Sequence, residues 1–208
     1  MISSETINGY LASLASREPT PGGGAVAAIH AAQGAALVAM VGRYTTGPKY
    51  DQHAELVHRI ISTADGLVAE ALGLADADQH AFQGVIDSYK LPTGTDDLKA
   101  ARTEAIQGAL ILAAQTPAQL IKLAGAVVDL ATELFEVANA NVISDIAAAA
   151  DAARAAATTA RVNIDINMVA IKEAAARSRL AAQTDGIEEK VILAADSLVG
   201  GVRGRILG

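Results

Sequence analysis

Two acidic residues inside one predicted helix are the first candidates for chemistry. They lie in the segment Asp76-Ala77-Asp78-Gln79-His80-Ala81-Phe82. Residues four apart share one face of a helix, which pairs Asp76 with His80 and Asp78 with Phe82. The first pair is most simply explained as an ion pair on the surface. The second places a carboxylate beside an aromatic ring on an inward face, and we therefore predict a functional site at Asp78.

A second group of polar residues brackets an alanine-rich helix. Asn141 and Asp145 are four residues apart at its start, where Asn141 could cap the helix while Ser144 and Asp145 complement the helix dipole. Asn163 and Asn167 repeat the spacing near its end, where asparagine in a left-handed conformation could terminate it. The same polar groups would also suit a cleft, so both interpretations stay open.

A proline-braced triple glycine precedes a long apolar stretch. The segment is Pro19-Thr20-Pro21-Gly22-Gly23-Gly24-Ala25, and the apolar stretch runs over 26–41. The prolines restrict φ, and the glycines leave backbone N–H groups accessible. At a helix start such groups can hold an anion. Neither a Walker A loop nor a dinucleotide fingerprint matches, so the segment is either a tight turn between closely packed helices or a ligand site.

Other catalytic arrangements have little support. The four histidines show neither a His-Glu-x-x-His nor a His-x-His spacing, so we expect no metal site. The chain has no cysteine, which excludes disulfides and thiolate chemistry. No Gly-x-Ser-x-Gly motif is present to indicate a serine nucleophile.

Composition restricts the partners. The formal charge is −7, the pI is near 5.0 and the 16 basic residues are scattered, so we expect no nucleic-acid partner. Mean hydropathy is +0.31, and residues 25–42 form an uncharged stretch. His30 and Gln33 interrupt that stretch, which favours a buried helix, or one shared with a partner subunit, over a membrane span. No signal peptide is apparent, so we expect a cytoplasmic protein.

The elements that position these residues are predicted to be helices. The 208 residues are 51% hydrophobic and only 3% aromatic, and they show no alternating β pattern. We predict one all-α domain over residues 1–208, an up-and-down bundle of seven or eight Ala/Gly-rich helices. Apolar residues on several helix faces predict a homodimer. The predicted helices run from Ser3 or Ser4 to Ala15 and over 22–45, 51–89, 96–114, 116–138, 139 or 141 to 161, 168–183 and 187–203.

Several of these motifs together resemble the cyclodeaminase/cyclohydrolase family. The resemblance covers roughly residues 5–170, and its motifs occur in the family's order. They are Leu14-Ala15-Ser16 with the triple-glycine segment, Asp78 with Ala81-Phe82 and Tyr89-Lys90-Leu91-Pro92, Lys99-Ala100-Ala101-Arg102 with Glu104-Ala105-Ile106-Gln107, Asn141-Val142-Ile143-Ser144-Asp145, and Asn163-Ile164-Asp165-Ile166-Asn167. Ala25 departs from the family, which usually has serine there.

The resemblance implies an enzyme of one-carbon folate metabolism that acts as a dimer. The first expectation is methenyltetrahydrofolate cyclohydrolase, which forms 10-formyltetrahydrofolate. The alternatives are formiminotetrahydrofolate cyclodeaminase and a non-catalytic helical folate-binding or scaffold protein. No cofactor is expected beyond the folate substrate. Asp78 and Asp145 are the expected catalytic carboxylates. The expected substrate-binding residues are Pro21, Gly22, Gly23, Gly24, Phe82, Lys90, Arg102, Asn141, Ser144 and Asn163.

Overall fold

The computed structural model describes residues Met1–Gly208 and is all-α, as predicted. Six helices have 18 or more residues and two are shorter. Short 3-10 turns precede α1, α3 and α6. The helices are α1 Ile7–Leu14, α2 Gly23–Tyr44, α3 Ala54–Tyr89, α4 Asp96–Ala113, α5 Gln115–Phe135, α6 Ile143–Ala170, α7 Ala174–Thr184 and α8 Ile187–Leu207.

The central helix is α2, which packs on α3, α5 and α6. Its buried positions are mostly alanine and glycine, and these small side chains let neighbouring helices approach closely. A Cβ added at Gly34 would lie 3.1 Å from both the Ala149 carbonyl oxygen and Val127 Cγ1. A cluster of 44 buried hydrophobic residues runs through the bundle.

Contacts at the helix ends set the directions of the helices. Gly23 lies near Asn163, whereas Asn139 Nδ2 donates to the Tyr44 carbonyl at 2.7 Å. Helices α2 and α6 are therefore antiparallel. Gly24 lies against Asp78, and Gly42 lies against Ile61, which makes α3 antiparallel to α2 as well. One end of the bundle thus contains the start of α2, the later part of α3 and the end of α6.

Several predicted helix termini are wrong, and the helix predicted to begin at residue 168 begins at Ala174. Thr6, not Ser3 or Ser4, caps α1 by accepting a hydrogen bond from the Gly9 N–H at 3.1 Å. Helix α5 begins at Gln115, so Thr116 lies inside its first turn rather than at its cap. Val142 holds the N-cap position of α6, so Asn141 does not cap it. Asn139, the other predicted start, caps the 3-10 turn before α6 by accepting a hydrogen bond from the Asn141 N–H at 3.1 Å.

The end of α6 also differs from the prediction. The helix continues to Ala170, nine residues beyond Arg161, so neither Asn163 nor Asn167 terminates it. Their amide groups instead donate to the carbonyls of the preceding turn, at 2.9 Å to Thr159 and 2.8 Å to Asn163. Local spacing alone could not distinguish these interior bonds from a helix terminus.

The predicted surface pair of Asp76 with His80 is also wrong. Asp76 is buried and accepts hydrogen bonds from the Ile2 N–H at 2.6 Å and from Ser3 Oγ at 2.8 Å. His80 is exposed. The N-terminal turn folds back over α3, and a contact across 74 residues leaves no signature in local sequence.

Two helical stretches, Gly23–Tyr44 and Asp96–Phe135, are long and apolar enough to span a membrane by length and composition alone. In each, 61% of the apolar window is buried inside the protein. Buried core helices of soluble proteins meet the same criteria, so this is weak evidence for a membrane span.

Candidate functional site

A cavity of about 240 Å³ opens where the start of α2 meets α3, α6 and the junction of α4 with α5. It is small, and larger cavities exist elsewhere, such as one of about 470 Å³ beside α1. We favour the smaller cavity because a partly buried carboxylate, two amides and a glycine turn converge there. Its lining residues are Pro19, Thr20, Gly22, Gly23, Gly24, Asp78, Phe82, Ala113, Pro117, Asn163, Ile166 and Asn167.

The Asp78 carboxylate lies directly against the first turn of α2. A Cβ added at Gly24 would lie within 2.5 Å of all three carboxylate atoms, so only glycine leaves room for this arrangement. Gly22, at the N-cap position, provides no side-chain cap for α2. The first backbone N–H groups of a helix lack partners within it and carry partial positive charge. Asp78 thus faces the positive end of α2.

Two opposing effects act on the pKa of Asp78. Burial raises the pKa because the charged form loses solvation, and this is the larger effect. The Ala25 backbone N–H acts in the opposite direction by stabilising the carboxylate. The net result is a pKa above the ordinary value of aspartate. A carboxylate of raised basicity in a cavity can accept a proton from a bound water molecule.

Two asparagines and an aromatic ring complete the cavity. Asn163 and Asn167 each donate an amide N–H to a helix carbonyl, which orients their side chains and leaves their amide oxygens available. Phe82 lines the cavity and is 44% exposed, so an aromatic surface is accessible to a ligand there. The cavity therefore combines a proton acceptor, polar groups and an aromatic surface.

The structure brings together Asp78, Phe82, Asn163 and the three glycines of the predicted site. Pro21 is buried beside the cavity without lining it, and the Thr20–Pro21 peptide bond is cis.

Lys90 and Arg102 lie outside the cavity. Lys90 pairs with Asp87 at 2.9 Å, and Arg102 donates to the Tyr89 carbonyl from both Nε, at 3.2 Å, and an NH2 group, at 2.9 Å. Their substrate-binding roles remain predictions.

The remaining predicted residues lie at the opposite end of α6. Asn141 and Ser144 are exposed and Asp145 is partly buried. Eighteen residues separate Asp145 from Asn163, a span of about 27 Å along the helix. A single chain therefore does not place Asp145 beside Asp78.

Six lining residues are absent from the predicted set of site residues. Four of them lie in motifs that the sequence analysis considered: Pro19 and Thr20 in the proline-rich segment, and Ile166 and Asn167 in the segment 163–167. Nothing in local sequence indicated Ala113 and Pro117, because they reach the cavity only through helix packing. No group of three or more His, Asp or Glu side chains is placed to hold a metal ion.

Comparisons with known proteins show which family this chain resembles. The family model for formiminotransferase-cyclodeaminase matches residues 6–186. The chain is 37% identical over 188 residues to a methenyltetrahydrofolate cyclohydrolase from Methylorubrum extorquens, and the match covers 90% of each protein. It is 32% identical over 164 residues to the formimidoyltransferase-cyclodeaminase of Mus musculus, which covers 78% of this chain but 30% of the mouse protein.

A solved structure shows the same fold. The crystal structure of formiminotetrahydrofolate cyclodeaminase from Thermotoga maritima superposes with a TM-score of 0.88 at 25% sequence identity. The match covers 99% of this chain and 100% of that one. The fold and the site define an all-helical protein with a carboxylate beside a glycine-rich helix start. The chain belongs to the formiminotransferase-cyclodeaminase family.

Proposed function

We propose that this protein is a methenyltetrahydrofolate cyclohydrolase. The observation that carries the proposal is the Asp78 carboxylate, whose pKa is raised by burial in a cavity lined by amides and backbone N–H groups. The similarity to the Methylorubrum cyclohydrolase over nine-tenths of both proteins supports the same reaction. We propose that it acts in the cytoplasm on the folate derivative with no further cofactor.

The substrate carries a delocalised amidinium cation whose carbon bridges N5 and N10. In the proposed reaction a water oxygen adds to this carbon while Asp78 accepts a proton from the water. The bond from this carbon to N5 then breaks, and N5 receives the proton from protonated Asp78. Loss of the hydroxyl proton to solvent leaves the N10 formyl product. The negative charge of Asp78 also stabilises the cation before water attacks.

The size of the cavity suggests how the substrate lies. Pockets that enclose drug-sized ligands have volumes of roughly 300–1,000 Å³. The volume here, about 240 Å³, therefore suits the ring system but not the whole folate. The pterin plane can stack on Phe82, while the glutamate tail extends outward. Lys90 and Arg102 remain candidates to meet that tail, because they lie on the exposed helical hairpin beyond Phe82.

The second candidate is formiminotetrahydrofolate cyclodeaminase. The superposition on the Thermotoga cyclodeaminase favours it, because the whole chain shares that fold. In this reaction N10 attacks the formimino carbon and ammonia leaves. The departing nitrogen needs a proton, which protonated Asp78 could supply. The two activities are distinguished by whether ammonia is released.

Purified protein and methenyltetrahydrofolate test the proposal. We expect the absorbance of the substrate to decay faster than in buffer alone. Asp78→Asn should lose the acceleration while keeping the helical circular-dichroism spectrum. Asp65→Asn is the matched control, because Asp65 is an exposed acid on α3 paired with Arg43 far from the cavity.

An unaccelerated decay with the folded wild-type protein would refute the cyclohydrolase proposal. Ammonia release from formiminotetrahydrofolate would then establish the second candidate. Neither activity, together with no folate binding, would instead indicate a scaffold protein.

A further inference from the structure

Helix α4 is held to the bundle with little apolar burial. Leu110 is the only buried residue among its 18, although the helix contacts α3, α5 and α6. Elements that bury few apolar side chains are the ones that open most easily. The last residue of α4, Ala113, nevertheless lines the Asp78 cavity. Polar contacts of α4 therefore have a large share in keeping it beside that cavity.

The Gln107 side chain of α4 bonds to the backbone where α6 ends. Its Nε2 donates to the Ala170 carbonyl at 3.2 Å, and its Oε1 accepts from the Lys172 N–H at 2.7 Å. Ala170 is the last residue of α6, and the final carbonyls of a helix have no partner within it. One amide thus satisfies a free carbonyl and a free N–H across more than sixty residues.

No other long-range hydrogen bond reaches the junction between α6 and α7. The remaining hydrogen bonds of residues 170–173 stay within the two helices and the junction, such as that from the Ile171 N–H to the Asn167 carbonyl at 3.0 Å. Between Ile164 and Ile171 no residue is buried. The last six residues of α6 are therefore fixed from beyond their own helix mainly by the buried Ile171 side chain and by Gln107.

Helix α4 is itself anchored to the end of α3. Arg102 donates to the Tyr89 carbonyl from two nitrogens, and its guanidinium lies 5.6 Å from the centroid of the Tyr89 ring. Tyr89 is the last residue of α3. Arg102 and Gln107 are five residues apart, so they extend from different sides of α4. The helix therefore bridges the ends of α3 and α6.

The two bridged helices are walls of the Asp78 cavity. Helix α3 contributes Asp78 and Phe82, and α6 contributes Asn163, Ile166 and Asn167. Asn167 lies less than one turn before the tethered end of α6. Movement of this end would therefore displace the amides of α6 relative to the Asp78 carboxylate.

We infer that Gln107 is a positioning residue for substrate binding, because its amide holds the end of α6 at α4 and so keeps the α6 wall in place opposite Asp78. The substrate in this inference rests on the proposed function. Gln107 acts through α6, since each end of its amide already bonds to backbone. Without the tether, part of the binding free energy would go into ordering the end of α6, so affinity would fall. Bound substrate restores the wall, so turnover at saturation would be kept.

Kinetic constants separate positioning from a purely structural role. Gln107→Met removes both hydrogen bonds while keeping a side chain of similar length and a good helix former. We expect the KM for methenyltetrahydrofolate to rise about tenfold, the factor that losing one or two typical hydrogen bonds gives, with kcat nearly unchanged. Gln183→Met is the matched control, because Gln183 is exposed on α7 and its side chain makes no hydrogen bond. It should keep both constants at their wild-type values.

A substrate without the glutamate tail tests for direct contact with that tail. Methenyltetrahydropteroate keeps the ring system that the cavity suits but has no glutamate. We expect Gln107→Met to raise the KM for this compound by the same factor as for methenyltetrahydrofolate. A factor near one would place Gln107 on the tail and overturn the inference.

Amide hydrogen exchange, measured by NMR, tests the tether without any enzymatic readout. The Lys172 N–H should exchange at least about tenfold faster in Gln107→Met than in the wild type, because its hydrogen-bond acceptor is removed. The same N–H should exchange at the wild-type rate in Gln183→Met.

Two further results would overturn the inference. Unchanged exchange at Lys172 in Gln107→Met would show that the tether does not hold the junction. A lower kcat at unchanged KM, with a lower unfolding temperature, would leave Gln107 a structural role only. A wild-type protein without turnover refutes the proposed function, while the exchange at Lys172 still decides whether the tether exists.

Discussion

Replacing Gly24 with alanine tests the coupling of the first turn of α2 to the Asp78 carboxylate. The added Cβ would lie within 2.5 Å of all three carboxylate atoms, whereas ordinary van der Waals contact begins at 3.4 Å. Rotation of the carboxyl group cannot relieve this overlap, because every one of its atoms is too close. The Asp78 side chain must therefore move by about 1 Å or more, given the close packing of protein interiors.

The expected loss of activity follows from the size of this displacement. Misplacing a reacting group by ~1 Å lowers the rate roughly 100-fold. That factor corresponds to about 2.7 kcal/mol of activation free energy. We expect Gly24→Ala to reduce kcat accordingly in the methenyltetrahydrofolate absorbance assay. The free energy of unfolding should fall by only about 1–3 kcal/mol, the usual cost of overpacking, so the variant should remain folded.

Gly73→Ala is the matched control. Gly73 lies in α3, and nothing lies within 4 Å of a Cβ added there. This variant should keep full activity and gain about 0.4–1 kcal/mol of stability through the unfolded state. A Gly24→Ala enzyme with wild-type kcat, in the same assay, would refute a catalytic role for the Asp78 position.

Four further predictions concern the pH dependence and stability of the bundle. Burial raises the pKa of Asp78 above the ordinary aspartate value. As pH drops through that raised pKa, the carboxylate becomes protonated and kcat/KM should fall. Asp78→Asn should abolish this fall in kcat/KM at low pH. A carboxyl group whose pKa is raised by folding lowers the free energy of unfolding as pH rises through that pKa. Asp78→Asn should therefore unfold at an equal or higher temperature than wild type at pH 7. A clearly lower unfolding temperature would indicate that Asp78 stabilises the start of α2 as a cap. Asp76→Ala leaves the Ile2 N–H and the Ser3 hydroxyl unpaired, so urea denaturation should show a loss of about 1–3 kcal/mol, and an unchanged midpoint would contradict this. The Arg205 guanidinium donates to the Phe135 carbonyl at 2.6 Å and lies 3.7 Å from the centroid of the Phe135 ring. Arg205→Ala should therefore lower the free energy of unfolding by about 1 kcal/mol. Arg203→Ala removes no such contact and should change it little.

Local sequence predicted the long helices well where apolar periodicity was continuous. The predicted 51–89 helix corresponds to α3 and the short turn before it, and the predicted 22–45 helix corresponds to α2. The prediction was wrong where a polar residue had two local explanations. Asn163 could end a helix or bond within one. In the structure the helix continues to Ala170, and Ile164 beside Asn163 is buried in the core, a long-range contact that local spacing does not record.

At the candidate site, too, local spacing predicted some positions and not others. The four-residue spacing placed Asp78 and Phe82 on one face of α3, because helix geometry depends only on neighbouring residues. It could not place Asp76, whose partners Ile2 and Ser3 are more than seventy positions away.

The sequence by itself determined the all-helical class, the main helices and the motifs that carry the family resemblance. These properties arise from interactions between residues close in the chain, which composition and periodicity record. Tertiary structure alone decided that Gly24 abuts Asp78 and that Asn163 shares their cavity. Each of these facts depends on how separate helices pack, and packing is set by the shape of the whole core rather than by any segment of it.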